Sequence, residues 1–445
     1  MHRPSQPSVL LISCYELGHQ PLGLASPLAF LERAGIEAEV IDLSVDPLDE
    51  DKLRRADFVA VSVPMHTALR LGLLVAERVR KLNQGCKLCF YGLYATLNSE
   101  MLIDSGADAV LGGECEEALV SWITRPERTT LAPAPFRKRL DYLVPVRAQL
   151  PKLDRYVHVE RTNGSREVVG TVEASRGCRH HCRHCPLPPV YDGRFFVVPQ
   201  ETVLTDIRRL VEAGARHINF ADPDFLNGPR HALEIVRAMH RDHPALTFDF
   251  TAKVEHILKR RDELEELSES GCTFIVSAVE SLSDRVLEEL DKGHTARNAR
   301  EVLTLTREAG IALRPTFVAF TPWTSSDDYR ELFHWVIDED LIHHVDPIQL
   351  TLRLLVPPKA LLLANPGLLP HLGELDRAAL TYRWTHPDPG MDRLQVEATA
   401  LVASATRDGS SNPDVFRSLA ELVGVNVPLG AGTAKAPRLT EAWFC

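Results

Sequence analysis

Three cysteines, Cys178, Cys182 and Cys185, lie within eight residues of one another and directly follow a short apolar stretch. Thiolates are soft ligands, and they bind iron–sulfur clusters and zinc well. Three thiolates on one short loop can hold three irons of a [4Fe–4S] cubane and leave the fourth iron open to a further ligand. The spacing therefore predicts a metal centre that is either a site-differentiated cluster or zinc.

A Cys3His zinc site is the alternative, since three histidines near these cysteines could supply the fourth ligand. They are His180, His181 and His184. The position of the loop favours the cluster. It comes straight after the first strand of a β/α series, where the active sites of such barrels lie, and a structural zinc knuckle has no special reason to be there.

The elements that must position this loop form a second series of alternating strands and helices. Six β/α units in a row predict a partial (β/α)6 TIM-type barrel. The predicted strands cover residues 168–173, 217–220, 247–251, 274–277, 312–317 and 347–351. The predicted helices cover residues 201–213, 230–240, 260–270, 296–309 and 326–337.

An earlier alternating series precedes the barrel half and predicts a Rossmann-like parallel sheet covered on both faces. Its predicted strands cover residues 9–13, 39–41, 58–63, 88–91 and 109–111. The α/β fold class thus comprises this sheet, the barrel and a small mixed C-terminal segment. The predicted boundaries are 1–124 for the first domain, 125–165 for a proline-interrupted linker, 166–354 for the barrel core and 355–445 for the C-terminal segment.

Length, charge and cysteine usage limit the class of protein. A chain of 445 residues is too long for one hydrophobic core. Its 50 Lys+Arg and 61 Asp+Glu give a net charge of −11, which argues against general nucleic-acid binding. No apolar run is long enough to span a membrane, so we expect no membrane partner. Three of the nine cysteines cluster, which favours a metal site over disulfides and predicts the reducing cytoplasm.

The Cys-x3-Cys-x2-Cys spacing after a strand resembles the signature of the radical SAM superfamily, although His184 stands where that family usually has an aromatic residue. The resemblance implies a [4Fe–4S] cluster on Cys178, Cys182 and Cys185 that binds and reductively cleaves S-adenosylmethionine. It also implies an electron donor such as flavodoxin or ferredoxin, and a small-molecule or peptide substrate.

Later strand ends of the barrel half resemble the cobalamin-associated branch of the same superfamily. The Asp-x-Asp sequence at 222–224 resembles the loop that contacts the methionine amino group, and 277–295 is similar to a Gly-x-Glu-Ser … Lys-Gly-x-Thr pattern. These matches imply that Asp222, Asp224, Ser277 and Glu280 bind SAM. The fifth implied SAM-binding residue is Arg314, a cation on the fifth predicted strand that suits the methionine carboxylate. Two alternatives remain open: Glu280 caps the helix after Ser281, or Arg314 forms a surface salt bridge.

The first domain resembles the cobalamin-binding domain of that branch, because its strand ends 91–96 and 111–114 are similar to that domain's Gly-Gly-x-x-Ala-Thr and Gly-Glu loops. Glycines there would let the backbone approach a corrin closely. The implied cobalamin-binding residues are His66, Thr67, Gly92, Gly112, Gly113 and Glu114. The Asp-x-His-x-x-Gly motif that supplies histidine to cobalt elsewhere is missing, so no cobalt ligand is named.

The last residues, 437–445, resemble the CUAEP/CCAEP-tail radical-SAM family, whose chains continue past this cysteine with selenocysteine or cysteine and then Ala-Glu-Pro. The resemblance implies a selenoprotein tail after Cys445; an ordinary C-terminus is the alternative. Sequencing the gene through the next codon tests this.

These resemblances together imply a cobalamin-dependent radical SAM enzyme, with methylation of an unactivated carbon of an unknown substrate as the expected reaction. The first alternative is a radical SAM enzyme without cobalamin. The second is a zinc-stabilised binding protein that catalyses no reaction.

Overall fold

The computed structural model describes residues 7–126 and 139–441. Its N-terminal part is a five-stranded parallel sheet with the strand order β2-β1-β3-β4-β5. The strands are β1 (Val9–Ser13), β2 (Ala38–Asp42), β3 (Phe58–Ser62), β4 (Lys87–Tyr91) and β5 (Ala109–Leu111). The helices are α1 (Leu22–Arg33), α2 (Glu50–Arg55), α3 (His66–Leu82), α4 (Leu93–Leu97), α5 (Ser99–Asp104) and α6 (Glu116–Thr124).

Burial explains why these segments form a parallel sheet. Every residue of β1 and of β3 is buried, and apolar clusters lie on both faces of the sheet. Strands that are covered on both faces have continuous apolar runs instead of alternating ones. The order reverses between β1 and β3, and ligands of such sheets bind at the carboxyl ends near that point.

The second part is a seven-stranded sheet with the order β13-β12-β11-β10-β7-β6-β16. Strands β7 and β10 to β13 run parallel, while β6 and β16 add an antiparallel edge. Within the described residues, the remaining strands are β6 (His158–Glu160), β7 (Arg166–Val172), β8 (Ser175–Gly177), β9 (Phe195–Val197), β10 (His217–Phe220), β11 (Thr247–Thr251), β12 (Cys272–Glu280), β13 (Ala312–Phe317), β14 (Leu372–Asp376), β15 (Thr381–Trp384) and β16 (Arg438–Leu439).

Helices alternate with the parallel strands, which confirms the predicted α/β fold class with a partial barrel. They are α7 (Pro188–Tyr191), α8 (Gln200–Glu212), α9 (Pro229–Asp242), α10 (Val254–Lys259), α11 (Leu264–Glu269), α12 (Asp284–Glu289), α13 (Ala296–Glu308), α14 (Ser326–Asp338), α15 (Pro389–Arg407) and α16 (Asn412–Leu422). Short 3-10 helices cover Leu153–Arg155, Phe225–Asn227, Arg261–Glu263, Pro347–Thr351, Leu361–Ala364 and Leu369–His371.

The sixth barrel position differs from the expected strand. The segment Pro347–Thr351 is a 3-10 helix, and the sixth position is held by a single parallel bridge between Phe320 and Arg353. Proline lacks an N–H and has a preset φ, which suits the start of a helical turn better than a central strand. The Gln349 side chain accepts a hydrogen bond from the Phe317 N–H at 3.2 Å, so a side chain takes the place of a strand as the partner of this backbone group of β13.

The C-terminal segment returns to the barrel. It contains the β14–β15 hairpin and two helices, and β16 then pairs antiparallel with β6. Two prolines of the predicted linker, Pro133 and Pro135, and the C-terminal Cys445 lie outside the described residues. No helix within 7–126 or 139–441 is long and apolar enough to cross a membrane.

Candidate active site

A cavity of about 470 Å³ lies where the strand ends of the two sheets face each other. The N-terminal part contributes Glu16, His19 and Gly92 to its wall, and the barrel contributes Arg176 and Asp222, among others. Because both parallel sheets present their carboxyl ends here, this is the place where each fold binds ligands.

The cysteine loop begins beside this cavity, at the end of β8. Gly177 lines the cavity with φ +79°, and a Cβ there would lie 2.4 Å from the Arg194 carbonyl, so only glycine lets β8 and β9 approach. Cys178 and Cys182 are buried, and Cys185 is partly buried. The Cys185 N–H donates to the Cys182 carbonyl at 3.1 Å, so the loop folds back on itself.

The thiols fit a cluster better than a single zinc ion. A tetrahedral zinc ion with Zn–S bonds of about 2.3 Å would hold its sulfurs about 4 Å apart. Among the described residues, the one group of three or more potential ligands whose donor atoms all lie within 4.8 Å is His180, Asp224 and His256, not the cysteines. A cubane separates its thiolates more widely, because each binds a different iron.

Two of the histidines that could have completed a zinc site contact other groups. His184 Nε2 lies 3.1 Å from Glu280 Oε1, and the half-exposed His181 lies 3.7 Å from Asp192. Burial raises the pKa of the Cys185 thiol to about 12, so this loop needs positive charge or a bound metal to hold thiolates.

Lys292 supplies positive charge beside the loop. It is 3% exposed, and its Nζ lies 3.1 Å from Glu280 Oε1. Burial opposes its charge, yet Glu280 and the thiols of Cys182 and Cys185 raise the pKa of Lys292. Burial also opposes the Glu280 carboxylate, but Lys292 and His184 hold its pKa well below the usual range.

Glu280 ends β12 with an unusual backbone conformation, and Ser277 lies three residues earlier on the same strand. Glu280 has φ +66°, in the left-handed region that is strained for a residue with a side chain, and the β12–β13 register shifts just before it. Glu280 is paired with Lys292 and His184, and the side chain of Ser283, the N-cap residue of α12, makes no capping hydrogen bond. Ser277 is buried, and its hydroxyl donates to the Ala252 carbonyl at 2.8 Å.

The two aspartates after β10 point to different places. Asp222 lines the cavity and accepts hydrogen bonds from Ala174 N and Ser175 Oγ at 2.9 and 2.5 Å. Burial raises the pKa of Asp222 to about 7. Asp224 accepts a hydrogen bond from Leu226 N through Oδ1, and its Oδ2 lies 2.7 Å from His256 Nδ1.

Arg314 lines the cavity from β13. Its side chain is 8% exposed, so its 3.1 Å ion pair with Asp346 is buried rather than on the surface. The guanidinium also donates to the His343 carbonyl at 3.2 Å. Asp346 lines the cavity as well, so a carboxylate-bearing ligand would meet an arginine whose orientation is already fixed.

The predicted corrin-binding residues separate into two groups. Gly92 and Gly113 line the cavity and have φ values of +107° and +61°. His66 Nε2 instead donates to the Ala379 carbonyl of the C-terminal segment at 2.7 Å. Thr67 lies in the first turn of α3, and Gly112 is buried directly after β5.

Glu114, the sixth of these residues, belongs to a buried charge cluster between the two parts of the chain. Arg176 Nη1 lies 3.0 Å from Glu114 and 2.7 Å from Glu116, and Arg176 Nε lies 2.8 Å from Glu173. The Tyr191 hydroxyl donates to Glu114 at 3.1 Å. Arg176 thus ties α6 and the β5–α6 loop to the cysteine loop. The sequence feature that could have identified Arg176 is its position two residues before Cys178.

Two cavity carboxylates had no sequence signal. Glu16 accepts hydrogen bonds from Gly23 N, and burial raises the pKa of Glu16 to about 8. Glu441 reaches the cavity because β16 returns to the sheet edge, and it accepts a hydrogen bond from the Tyr15 hydroxyl at 2.9 Å. Both positions depend on tertiary structure.

Two family models match the chain: the radical SAM superfamily over residues 172–335 and the B12 binding domain over residues 8–122. The chain is 25% identical over 353 residues to the hopanoid C-3 methylase of Methylococcus capsulatus, covering 75% of this chain and 67% of that protein.

Two solved structures share the fold. One is the cobalamin-dependent S-adenosylmethionine radical enzyme OxsB with aqua-cobalamin and S-adenosylmethionine bound, with a TM-score of 0.71 and 15% identity, covering 90% of this chain and 67% of that one. The other is the radical S-adenosylmethionine methyltransferase TsrM from Kitasatospora setae with cobalamin and a [4Fe–4S] cluster bound, with a TM-score of 0.61 and 17% identity, covering 76% and 74%.

Proposed function

We propose that this chain, a radical SAM enzyme with an N-terminal B12-binding domain, methylates an unactivated carbon of a small-molecule or peptide substrate. Its cofactors are a [4Fe–4S] cluster, S-adenosylmethionine and cobalamin. The observation that carries the proposal is the cavity, which both strand-end edges line and which the cysteine loop borders. A methyl donor bound by one sheet and a radical generator bound by the other would meet there.

When bound, these cofactors supply a carbon radical derived from S-adenosylmethionine and a transferable methyl group. The chain's own residues bind and orient them. Cys178, Cys182 and Cys185 hold the cluster. Asp222 faces the cavity and suits the methionine amino group, and Arg314, fixed by Asp346, suits the methionine carboxylate.

The remaining proposed SAM-binding residues, Glu280 and Ser277, also fix the elements around the site. Glu280 is held through Oε1 by Lys292 and His184 next to the cysteine loop, so it fixes that loop and would be the residue that accepts a hydrogen bond from the ribose. Ser277 fixes the end of β12 to the end of β11 through its hydrogen bond to Ala252.

For cobalamin, the backbone near Gly92 and Gly113 is the proposed contact surface, because a flat corrin needs close backbone approach. Gly112 and Thr67 support the same edge, and His66 and Glu114 fix that edge to the rest of the chain. An electron donor of the flavodoxin or ferredoxin type and the reducing environment of the cytoplasm complete the proposal, since buried thiolates and a cluster need both.

The test is anaerobic reconstitution of the full chain with iron, sulfide and hydroxocobalamin, followed by S-adenosylmethionine and a low-potential reductant. We expect about four iron and four sulfide per chain, corrin absorbance that survives desalting, and formation of 5′-deoxyadenosine. The matched control is Cys182→Ala, which removes one proposed cluster ligand from the same chain.

Each outcome separates the alternatives. Zinc without iron and sulfide would leave only the non-catalytic binding protein. A full cluster that yields 5′-deoxyadenosine without retained corrin would favour the enzyme without cobalamin. A full cluster that yields no 5′-deoxyadenosine would contradict the radical SAM activity itself.

A further inference from the structure

A second group of potential metal ligands lies at the cysteine loop. It consists of three residues that bind no metal in the proposed activity. His180 comes from the cysteine loop, Asp224 from the loop after β10, and His256 from α10 after β11. Their donor atoms all lie within 4.8 Å of one another. Three separate segments of chain therefore bring two imidazoles and a carboxylate to one point.

The distances between these atoms suit one metal ion. His180 Nε2 lies 3.1 Å from His256 Nε2, and Asp224 Oδ2 lies 2.7 Å from His256 Nδ1. A tetrahedral zinc ion bonds nitrogen donors at about 2.0–2.1 Å and holds two of them about 3.3 Å apart. One imidazole gives only one nitrogen to an ion, so His256 would bind through Nδ1, beside Asp224, and the His180 side chain would turn to bring its Nε2 from the other side of that ring to the same ion.

Unpaired buried atoms give an independent reason to expect a ligand. Asp224 is 1% exposed, and its Oδ2 has no hydrogen-bond partner; His256 Nδ1 is also buried without one. The 2.7 Å contact between them lacks the angles of a hydrogen bond. Buried polar atoms are nearly always paired, and an unpaired carboxylate oxygen is costly, so a cation that satisfies both atoms removes the cost.

The surroundings complete such a site. Glu255 Oε2 lies 3.8 Å from His180 Nδ1, where it can orient the imidazole as carboxylates beside metal-bound histidines commonly do. Lys253 Nζ lies 3.7 Å from Glu255 Oε2, so the ammonium offsets the negative charge of that carboxylate. Imidazole and carboxylate together favour zinc or a similar transition metal over magnesium or calcium, which prefer oxygen ligands.

We propose that His180, Asp224 and His256 bind one divalent transition-metal ion of the zinc class, separate from the cluster. This ion fastens the cysteine loop, through His180 between Cys178 and Cys182, to the ends of β10 and β11. Asp224 then belongs to this metal site, and Asp222 alone of the pair serves the cavity.

In the experiment, the full chain is reconstituted with its cluster, exchanged into metal-free buffer and given one equivalent of Zn²⁺. Zinc, iron and sulfide bound to the chain are then measured. We expect about one zinc in addition to the cluster iron. The zinc-edge X-ray absorption spectrum should show nitrogen and oxygen ligands at about 2.0–2.1 Å and no sulfur at about 2.3 Å.

Variants decide the assignment. Asp224→Asn and His256→Gln should lose at least tenfold in zinc affinity while they keep iron and sulfide. The control is His181→Gln, which changes an exposed histidine of the same loop and should keep both metals. No zinc in the unmodified chain, a sulfur shell in its spectrum, or unchanged zinc in both variants would each overturn the proposal. Joint loss of zinc and cluster iron would also overturn it, because the residues would then merely support the cluster. None of these results depends on turnover, so the proposed activity stands or falls separately.

Discussion

The barrel edge and the N-terminal sheet edge face the same cavity but are built differently. At the barrel edge, buried opposite charges hold each other, as Lys292 and Glu280 do beside the cysteine loop. At the N-terminal edge, two of the cavity-lining positions expected to contact a cofactor are glycines with positive φ values, and the Glu16 side chain accepts hydrogen bonds from the backbone N–H of Gly23.

This difference follows from what each edge is proposed to hold. A cluster needs ligands of one chemical type at fixed spacing, and a charged centre needs compensating charge nearby. A corrin is large and flat, so shape and backbone access matter more than particular side chains. Substitutions at the barrel edge should therefore change metal content and charge, while those at the other edge should change fit.

The strongest test of the barrel edge is Cys182→Ala. With one of three ligands gone, we expect iron to fall well below four per chain and 5′-deoxyadenosine formation to fall at least 1,000-fold. Iron analysis and the product assay check this. The control is Cys272→Ala, a buried cysteine on β12 outside the loop, which should retain iron. Equal iron in both variants would break the proposed assignment of the cluster.

Arg176 joins the two edges, so Arg176→Gln tests whether they depend on each other. The change leaves Glu114, Glu116 and Glu173 without their shared cation, and breaking a buried ion pair commonly costs about 3–5 kcal/mol. Denaturant unfolding measures the loss. The control, Arg208→Gln, removes an exposed arginine paired with Glu201 and should cost under about 1 kcal/mol. Similar losses of stability in both variants would mean that the buried ion pairs of Arg176 add no stability.

Sequence reasoning reached the two edges to different depths. The cysteine spacing and the apolar runs located the loop and most of the strands, because these features depend on local pattern. Residues 347–351 were wrongly expected to be a strand, since an apolar run does not show whether a neighbouring strand edge is available. The Lys292–Glu280 ion pair and the return of β16 depend on where distant segments meet, which one sequence does not reveal.

At the N-terminal edge, Gly92→Ala tests whether fit decides cofactor binding. The added Cβ would lie 3.3 Å from the Val63 backbone, so the backbone would have to shift at a residue that lines the cavity, and we expect corrin affinity to fall about 10–100-fold with iron content unchanged. Gly106→Ala is the matched control, because Gly106 also has positive φ but open space around it. Both substitutions place a side chain at positive φ, with a backbone cost on the order of 1–3 kcal/mol, so denaturant unfolding is measured for both and only a loss of corrin retention beyond the loss of stability reports on fit.

Lys292→Met tests the role of charge at the barrel edge. Removing a buried cation disfavours the more negative reduced cluster, so the reduction potential should fall by tens of millivolts, on the order expected for one nearby charge. Potentiometric titration followed by electron paramagnetic resonance measures it. Lys259→Met, which removes an exposed lysine, should leave the potential unchanged. An unchanged potential in Lys292→Met would show that this cation serves Glu280 alone.

Glu16 provides the smallest effect, through pH. Its pKa is raised from 4.5 to about 8, chiefly by burial, so the folded state keeps a proton that the unfolded state releases. The free energy of unfolding should therefore fall as pH rises from 4.5 through 8. Glu16→Gln should flatten this dependence and be about 1–2 kcal/mol more stable than the unmodified chain at pH 9, less than the full shift implies because the carboxylate borders the cavity.

The control for Glu16 is Glu32→Gln, an exposed carboxylate on α1 of the same domain, whose pH profile should follow that of the unmodified chain. If Glu16→Gln also follows it, the Glu16 carboxylate has a cationic partner at high pH, and the N-terminal edge uses ion pairing as the barrel edge does. If only Glu16→Gln is flat, the Glu16 carboxyl group has no cationic partner in the folded chain, and it keeps its proton until the pH approaches 8 despite the hydrogen bond from the Gly23 N–H.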